Sequence, residues 1–284
     1  MICWMNGEQV HADELRISPF DHGFIYGLGF FETFRTYGGE VFLYDSHMIR
    51  LRSALIDYHI EMPYSDEEIL MAIHSLYKEN GCEDGYYRLN VSAGVHDIGL
   101  APAHYKQPNV LIFQKALHLP AVHTEKDGVW LATTRNEPES VVRHKSHQYA
   151  NNVKGRLELP SLRETEGLFV TSDGYVAEGI TSNIFWVKEG ELYTPSLETG
   201  ILPGTTRAFV METAGVFGLA VHEGLYMSEE LESAEEVFIT NAIQELVPIR
   251  RVGETRFSGK EGPVYQQLHA GYQQAVNRMK VSDQ

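Results

Sequence analysis

Two β-hairpins in succession, between residues 168 and 194, constrain the fold of this chain more than any other feature. The first joins predicted strands at 168–171 and 175–178 through the turn Ser-Asp-Gly. The second joins strands at 183–187 and 192–194 through Lys-Glu-Gly-Glu. A Pro-Gly turn then leads into a segment with helical apolar spacing. We therefore expect a C-terminal half that is rich in strands and packed around a helix.

The N-terminal part combines helix and strand signals. Ser65 and Glu68 form a capping box, and the apolar residues after them repeat at helical spacing up to Gly81. Residues 86–92 alternate between apolar and polar side chains, with Arg88 on the polar face, as in a strand that covers a core with one side. This pattern predicts an α+β unit.

A domain boundary is predicted where the apolar periodicity breaks. The stretch LHLPAVHTEKDG contains two Pro- or Gly-containing polar breaks, so we assign a linker to 118–127. A strand predicted at 129–133 opens the second part. The predicted fold class is α+β, with a small N-terminal α/β domain at 1–117 and a larger, strand-rich C-terminal α/β domain at 128–284.

Composition narrows the class of protein. The chain has 284 residues, 43% of them hydrophobic, which is enough for two modest domains with their own cores. Cys3 and Cys82 are too few for a disulfide framework and lie in no metal-binding spacing, so we expect no metal and a reducing cytoplasm. The acidic N-terminus and the lack of an apolar run of about 20 residues predict neither a signal peptide nor a membrane span. A formal net charge of −16 predicts no nucleic-acid binding and requires local basic groups for any anionic ligand.

Lys145 is the first candidate for chemistry. A lone lysine is most often a solvated surface charge. Here it stands in the segment Arg-His-Lys-Ser-His, where positive neighbours destabilise an ammonium group and leave more neutral amine. A neutral lysine amine is what attack on an aldehyde requires.

Glu178 and a pair of threonines are further candidates. Glu178 ends a hydrophobic hairpin strand, where it is either an exposed carboxylate or a buried partner for a protonated ring nitrogen. Thr205 and Thr206 follow Gly204 at a predicted helix start, where backbone N–H groups and two hydroxyls could bind an anion. Each feature alone is weak evidence, because many helices begin with threonine and bind nothing.

Six segments in succession resemble the signature blocks of the fold type IV enzymes that use pyridoxal 5'-phosphate (PLP). That family includes branched-chain aminotransferases, D-amino acid aminotransferases and aminodeoxychorismate lyases. The segments extend from about Asp21 to Ile249 in the order of the family, and they are DHGFIYGLGFFETFR, HMIRL, KSHQYANN, AEGITSNIFWV, YTPSLETGILPGTTR and ITNAIQELVPI. The resemblance therefore covers most of the chain.

This resemblance implies roles for individual residues. The lysine that forms a Schiff base with PLP falls on Lys145, the carboxylate that binds the pyridine nitrogen on Glu178, and the phosphate-binding arginine on Arg50. Further phosphate contacts would come from Thr205, Thr206 and Asn241. The resemblance also implies a small-molecule substrate and a homodimer.

Within the family, ISPFDHGFIYGLGFFETFR, RHKSHQYANN and the Thr-Asn-Ala segment resemble aminodeoxychorismate lyases of the folate pathway most. The implied reaction converts 4-amino-4-deoxychorismate into 4-aminobenzoate and pyruvate. Phe31 stands where D-amino acid aminotransferases commonly have tyrosine, which weakens that interpretation. Tyr86 and Arg88 match a Tyr-x-Arg that branched-chain aminotransferases use near the substrate carboxylate, so an aminotransferase remains the alternative.

The substrate of such a lyase carries two carboxylates, so at least one arginine besides Arg50 is expected near it. Arg88 and Arg143 are the candidates, with Arg35 a weaker one, and Phe31 is a candidate for packing against the substrate ring. Two other interpretations stay open. One is a PLP-binding protein without turnover, and the other is a hydrolase that uses Ser146 and His147, which is disfavoured because adjacent residues seldom face each other.

Overall fold

The computed structural model describes residues 1–81, 83–100, 104–117, 125–161 and 163–282. The chain splits into two compact units. Unit 1 comprises Met1–His118, His144–Gln148 and Met279–Gln284, and unit 2 comprises Leu119–Arg143 and Tyr149–Arg278. The segment that carries Lys145 thus counts with unit 1, although it lies inside the range predicted for the second domain.

The predicted linker falls largely outside the described residues, which omit 118–124. The strand predicted at 129–133 is wrong in position, because the strand observed there is Lys126–Trp130. Parallel pairing with strands distant in sequence fixes the bounds of this strand. Lys126 is buried in it, but a lysine in the sequence indicates an exposed polar position, so the start of the strand is not predicted. The domain boundaries themselves stay a prediction.

In unit 1, six strands form one sheet in the order β2-β1-β6-β5-β3-β4, and neighbouring strands pair antiparallel. The strands are β1 (Ile2–Met5), β2 (Glu8–His11), β3 (Gly29–Tyr37), β4 (Glu40–Val41), β5 (Gly85–Ser92) and β6 (Asn109–Ala116). The helices are α1 (His22–Ile25), α2 (Tyr44–Asp57) and α3 (Asp66–Glu79). The hydrophobic core of the unit packs α2 and α3 on one face of this sheet.

The capping box that begins α3 is confirmed. The Ser65 hydroxyl accepts a hydrogen bond from the Glu68 backbone N–H at 3.2 Å, and the Glu68 carboxylate accepts one from the Ser65 N–H at 2.7 Å. The apolar stripe of the helix is buried, as its spacing predicts, through Ile69, Ala72, Ile73 and Leu76.

The predicted alternation along β5 is also confirmed. Tyr87, Leu89 and Val91 are buried in the core, while the residues between them lie on the opposite face. The pairing of β5 with β3 sets Phe31 opposite Asn90, so that Phe31 shares the face that carries Arg88. This register places an aromatic ring among polar side chains.

In unit 2, the strands form a nine-stranded sheet whose continuous path is β12-β11-β10-β13-β14-β7-β8-β9, with β15 paired to β14. The strands are β7 (Lys126–Trp130), β8 (Thr165–Val170), β9 (Val176–Gly179), β10 (Asn183–Lys188), β11 (Glu191–Pro195), β12 (Val221–Gly224), β13 (Glu236–Asn241), β14 (Glu245–Val252) and β15 (Thr255–Arg256). The helices are α4 (Ala150–Leu157), α5 (Thr205–Val216), α6 (Ser228–Glu232) and α7 (Pro263–Ser282), the end of which counts with unit 1. Both predicted hairpins are present, as β8–β9 and β10–β11.

The observed architecture is mixed α and β, as predicted. Within the described ranges, no helix is long and apolar enough to cross a membrane.

Candidate active site

Lys145 is held against the start of strand β3 by backbone pairing. The Phe31 N–H donates to the Lys145 carbonyl and the His147 N–H donates to the Gly29 carbonyl, both at 2.9 Å. Because side chains alternate along an extended segment, Lys145 and His147 project to one side and Ser146 to the other. This alternation argues against Ser146 and His147 as a nucleophile and base pair.

Two basic side chains, Arg88 and Lys145, lie over the ring of Phe31. The Arg88 guanidinium carbon lies 3.5 Å from the ring centroid, and the Lys145 Nζ lies 4.8 Å from it. Both distances are within the range of cation–π attraction. Arg88 is oriented by hydrogen bonds from its Nε and Nη2 to the Asn90 side-chain oxygen at 3.3 and 3.2 Å. A chain with strong negative net charge thus has a local cationic group beside its candidate lysine.

His147 completes this cluster as a neutral imidazole. Burial, with the charge of Arg88 acting in the same direction and Asp21 opposing, lowers the pKa of His147 to about 4. Its ring lies against Gly29, where an added Cβ would come within 2.4 Å of the ring. Its Nε2 is buried and has no hydrogen-bond partner among the described residues. Glycine at 29 is therefore required for the imidazole to lie where it does.

Arg50 lies on helix α2 and is held by the carboxylate of Glu32 on strand β3, a residue that was not predicted from the sequence. Its Nε donates to Glu32 Oε1 at 2.8 Å and its Nη2 donates to Glu32 Oε2 at 2.6 Å. Glu32 Oε2 also lies 2.7 Å from His47 Nδ1. A usable signal existed, because Glu32 lies midway between Phe30 and Phe34, at a position of the strand whose alternation predicts a core-facing side chain.

Glu178 lies in unit 2 and is buried rather than an exposed strand end. Its Oε1 accepts from Arg135 Nε at 2.8 Å, and its Oε2 accepts from the Leu202 N–H at 3.0 Å. Arg135 is itself held by the Asn151 side-chain oxygen at 2.7 Å. A carboxylate oxygen accepts more than one hydrogen bond, so this carboxylate has the capacity to receive a further N–H. Arg135 is not among the residues predicted for the site from the sequence.

The start of helix α5 carries the predicted threonine pair. Gly204 is the N-cap and supplies no side-chain cap, and both threonines are buried. The Thr206 hydroxyl oxygen has no hydrogen-bond partner among the described residues. An unpartnered buried hydroxyl beside the N–H groups of a 12-residue helix fits the binding of a phosphate group.

Three other predicted site residues have visible partners. The Asn241 side-chain oxygen accepts from the Ile243 and Gln244 N–H groups at 3.0 and 2.7 Å, so this residue shapes the turn after β13. Tyr86 lies under Lys115, whose Nζ is 4.4 Å from its ring centroid. Arg143 donates to the carbonyls of Gly200 and Asn136. Burial, followed by the charge of Arg135, lowers the pKa of Arg143 to about 10.

Within the described ranges, no group of three His, Cys, Asp or Glu residues is arranged to hold a metal ion.

Comparison with known proteins decides the family. The family model for amino-transferase class IV matches residues 29–252, which is most of the chain. The chain belongs to the class IV aminotransferase family. This match confirms the predicted fold type.

Two relatives and one solved structure refine the comparison. The aminodeoxychorismate lyase of Bacillus subtilis is 42% identical over 280 residues, covering 98% of this chain and 96% of the relative. The branched-chain-amino-acid aminotransferase of Pseudomonas aeruginosa is 30% identical, covering 95% and 91%. The T.th. branched-chain amino acid aminotransferase, solved with N-(5'-phosphopyridoxyl)-L-glutamate, has a TM-score of 0.87 at 26% identity and covers 97% of this chain and 93% of its own. These matches confirm the prediction of a PLP-dependent enzyme and favour the lyase over the aminotransferase.

Proposed function

We propose that this protein converts 4-amino-4-deoxychorismate into 4-aminobenzoate and pyruvate with PLP bound at Lys145. The observation that carries the proposal is the cluster of Lys145 and Arg88 around Phe31, in a chain that is 42% identical to an aminodeoxychorismate lyase. We assign it to folate biosynthesis in the cytoplasm.

The residues present fit the cofactor. Lys145 would bind its aldehyde carbon, Glu178 its ring nitrogen, and the phosphate would be held by Arg50, Thr205, Thr206 and the turn at Asn241. The buried unpartnered hydroxyl of Thr206 and the buried carboxylate of Glu178, which Arg135 holds in place, support this assignment. When bound, PLP supplies an electron sink for the electron pair that a departing proton leaves behind.

Lys145 then has two tasks at one atom. Its Nζ would hold the cofactor and, when free, would take the proton from the amine-bearing ring carbon of the substrate. The neutral state of His147 keeps a further positive charge away from this amine. Loss of the enolpyruvyl group as pyruvate makes the remaining ring aromatic, which supplies a driving force that transamination lacks.

Arg88 would bind a carboxylate of the substrate. Its guanidinium is fixed by Asn90 and by the Phe31 ring, so little conformational freedom is lost on binding. Phe31 would pack against the substrate ring beside it. Arg143 is a weaker candidate, since it already donates to two backbone carbonyls.

The alternative is an aminotransferase. Tyr86 and Arg88, the Tyr-x-Arg pair, lie on one face of β5, and the Pseudomonas relative has that activity in its name. Both activities share the chemistry up to removal of the proton, so the cofactor residues do not separate them. Analysis of the products formed with and without 2-oxoglutarate separates the lyase from the aminotransferase.

We also propose that the protein is a homodimer. Five large apolar side chains are exposed on two adjacent segments of unit 1, where Asp21 and Val95 form a β-bridge. They are Phe20, Phe24, Val95, Ile98 and Leu100, with exposed fractions between 49% and 81%. Exposed large apolar side chains on neighbouring segments are typical of a subunit interface, and a second copy of the chain is the partner we assign to them.

The cofactor assignment is tested by borohydride reduction followed by peptide mapping. We expect a phosphopyridoxyl mass on the peptide that contains Lys145. A protein labelled at another lysine would overturn the assignment of Lys145. A protein that retains no cofactor would overturn the assignment as well, and would also exclude the non-catalytic PLP-binding alternative.

A further inference from the structure

Glu32 is a buried carboxylate with no direct part in the reaction proposed above. It lies on β3 with no exposed surface, and both its oxygens are engaged by α2. Oε1 accepts from Arg50 Nε, and Oε2 accepts from Arg50 Nη2 and lies against His47 Nδ1. Two residues spaced three apart on one helix thus converge on a single carboxylate.

The charge states of Glu32 and His47 follow from their burial and their contacts. Burial raises the pKa of Glu32, but the charge and hydrogen bonds of Arg50, together with those of His47, outweigh burial and hold that pKa at about 2. Burial, against the pull of Glu32, lowers the pKa of His47. At neutral pH the group is therefore a carboxylate, a guanidinium and a neutral imidazole that donates its Nδ1 proton.

The geometry of Arg50 follows from this pairing. A guanidinium is planar, and Glu32 binds the edge formed by Nε and Nη2. Two parallel bonds fix both the position and the plane of the group, so the Nη1 end is directed away from Glu32. A buried ion pair is seldom retained for stability alone, because apolar residues of similar volume are often as stabilising.

We propose that Glu32, supported by His47, is a positioning residue that orients Arg50 to bind the phosphate group of the cofactor. This inference deepens the proposed function and rests on it. Glu32 itself would touch neither cofactor nor substrate, and it would act only through the Arg50 guanidinium.

The test compares the affinities of PLP and of pyridoxal, which lacks the phosphate. Cofactor-depleted wild-type protein and Glu32→Gln are titrated with each compound, and binding is followed by visible absorbance. We expect Glu32→Gln to weaken PLP binding roughly 10- to 100-fold, the effect of one misaligned charge-assisted hydrogen bond. The affinity for pyridoxal should stay within about twofold, because the phosphate is the part of the cofactor that Arg50 is proposed to bind and pyridoxal lacks it.

Glu236→Gln is the matched control. Glu236 is equally buried, but its partners are the backbone N–H groups of Val264 and Tyr265 in unit 2. A purely structural role for a buried glutamate predicts that both variants lose thermal stability and that neither changes the ratio of the two affinities. A selective loss of PLP affinity in Glu32→Gln alone supports positioning.

A double-mutant cycle with Arg50→Lys shows whether Glu32 acts through Arg50. Lysine is a point charge that needs no orienting fork, so Glu32→Gln should add less than about twofold in that background. If Glu32→Gln does not fold, His47→Asn removes one bond to Glu32 and should give a smaller loss of the same kind. If folded Glu32→Gln has the same ratio of PLP affinity to pyridoxal affinity as the wild type, the inference is overturned. The proposed function stays intact in that case as long as the wild type binds PLP. Failure of the wild type to bind PLP would instead overturn both.

Discussion

The guanidinium of Arg88 lies on the ring of Phe31, with its central carbon 3.5 Å from the ring centroid. This contact fixes an arginine on the face of β5 that the core does not cover, next to Lys145. The arrangement gives Arg88 a defined direction in which to bind an anionic substrate.

We predict that Arg88→Lys raises KM by roughly tenfold or more and changes kcat less. Lysine keeps the charge but loses the planar fork that binds a carboxylate through two parallel bonds. Steady-state kinetics on 4-amino-4-deoxychorismate measures the split, and Arg256→Lys on an exposed strand is the control. Equal kinetics for Arg88→Lys and wild type would remove Arg88 from the substrate site.

Glu178→Gln should lower kcat by at least roughly 100-fold, because a neutral amide does not keep a proton on the ring nitrogen. Cofactor binding should survive, since Lys145 and the phosphate contacts remain. Absorbance titration reports binding and single-turnover kinetics report the chemical step. A variant with near-normal turnover would show that Glu178 pairs with Arg135 for structural reasons only.

His147 should make the protein sensitive to acid. The pKa of His147 is lowered to about 4 in the folded chain, against 6.5 for an ordinary histidine, so the unfolded state binds the proton more readily. Its contribution to stability is complete above pH 6.5 and is lost as the pH falls from 6.5 towards 4. Urea unfolding at about pH 7 and about pH 4.5 should show a smaller acid loss for His147→Gln than for wild type. The same loss in both proteins would contradict this assignment.

Ser65→Ala should lower the free energy of unfolding by about 1 kcal/mol, the usual value of an N-cap. The variant leaves the Glu68 N–H at the start of α3 without its side-chain partner. Ser53→Ala, at an exposed position within α2, is the control and should be neutral or slightly stabilising. Thermal unfolding of both variants measures the difference, and equal Tm values would argue that the capping box contributes nothing to global stability.

The features that could be predicted from the sequence are those with local signals. The turns of the two hairpins, the capping box of Ser65 and the alternation along β5 each depend on neighbouring residues, and each is present in the structure. Strand β7 was misplaced because its bounds depend on parallel neighbours far away in the chain. Lys126 in that strand is buried against Glu166 at 3.1 Å, a pairing that no local pattern reveals.

The candidate site divides in the same way. Lys145, Glu178 and Arg50 stand in recognisable segments, so their resemblance to a known family could be identified directly. Their supporting residues could not, because Glu32 and Arg135 act through side-chain contacts between elements distant in sequence. Sequence reasoning also gave no sign that Arg88 and Lys145 share one aromatic ring.

The most direct test of the central claim is the fluorescence of 4-aminobenzoate released from 4-amino-4-deoxychorismate, with PLP present and no amino acceptor added. Wild-type protein should release 4-aminobenzoate and pyruvate in equal amounts, and Lys145→Ala should release none above background. PLP-loaded wild-type protein that releases no 4-aminobenzoate, but forms glutamate from 2-oxoglutarate and an amino acid, would contradict the lyase assignment and make the protein an aminotransferase.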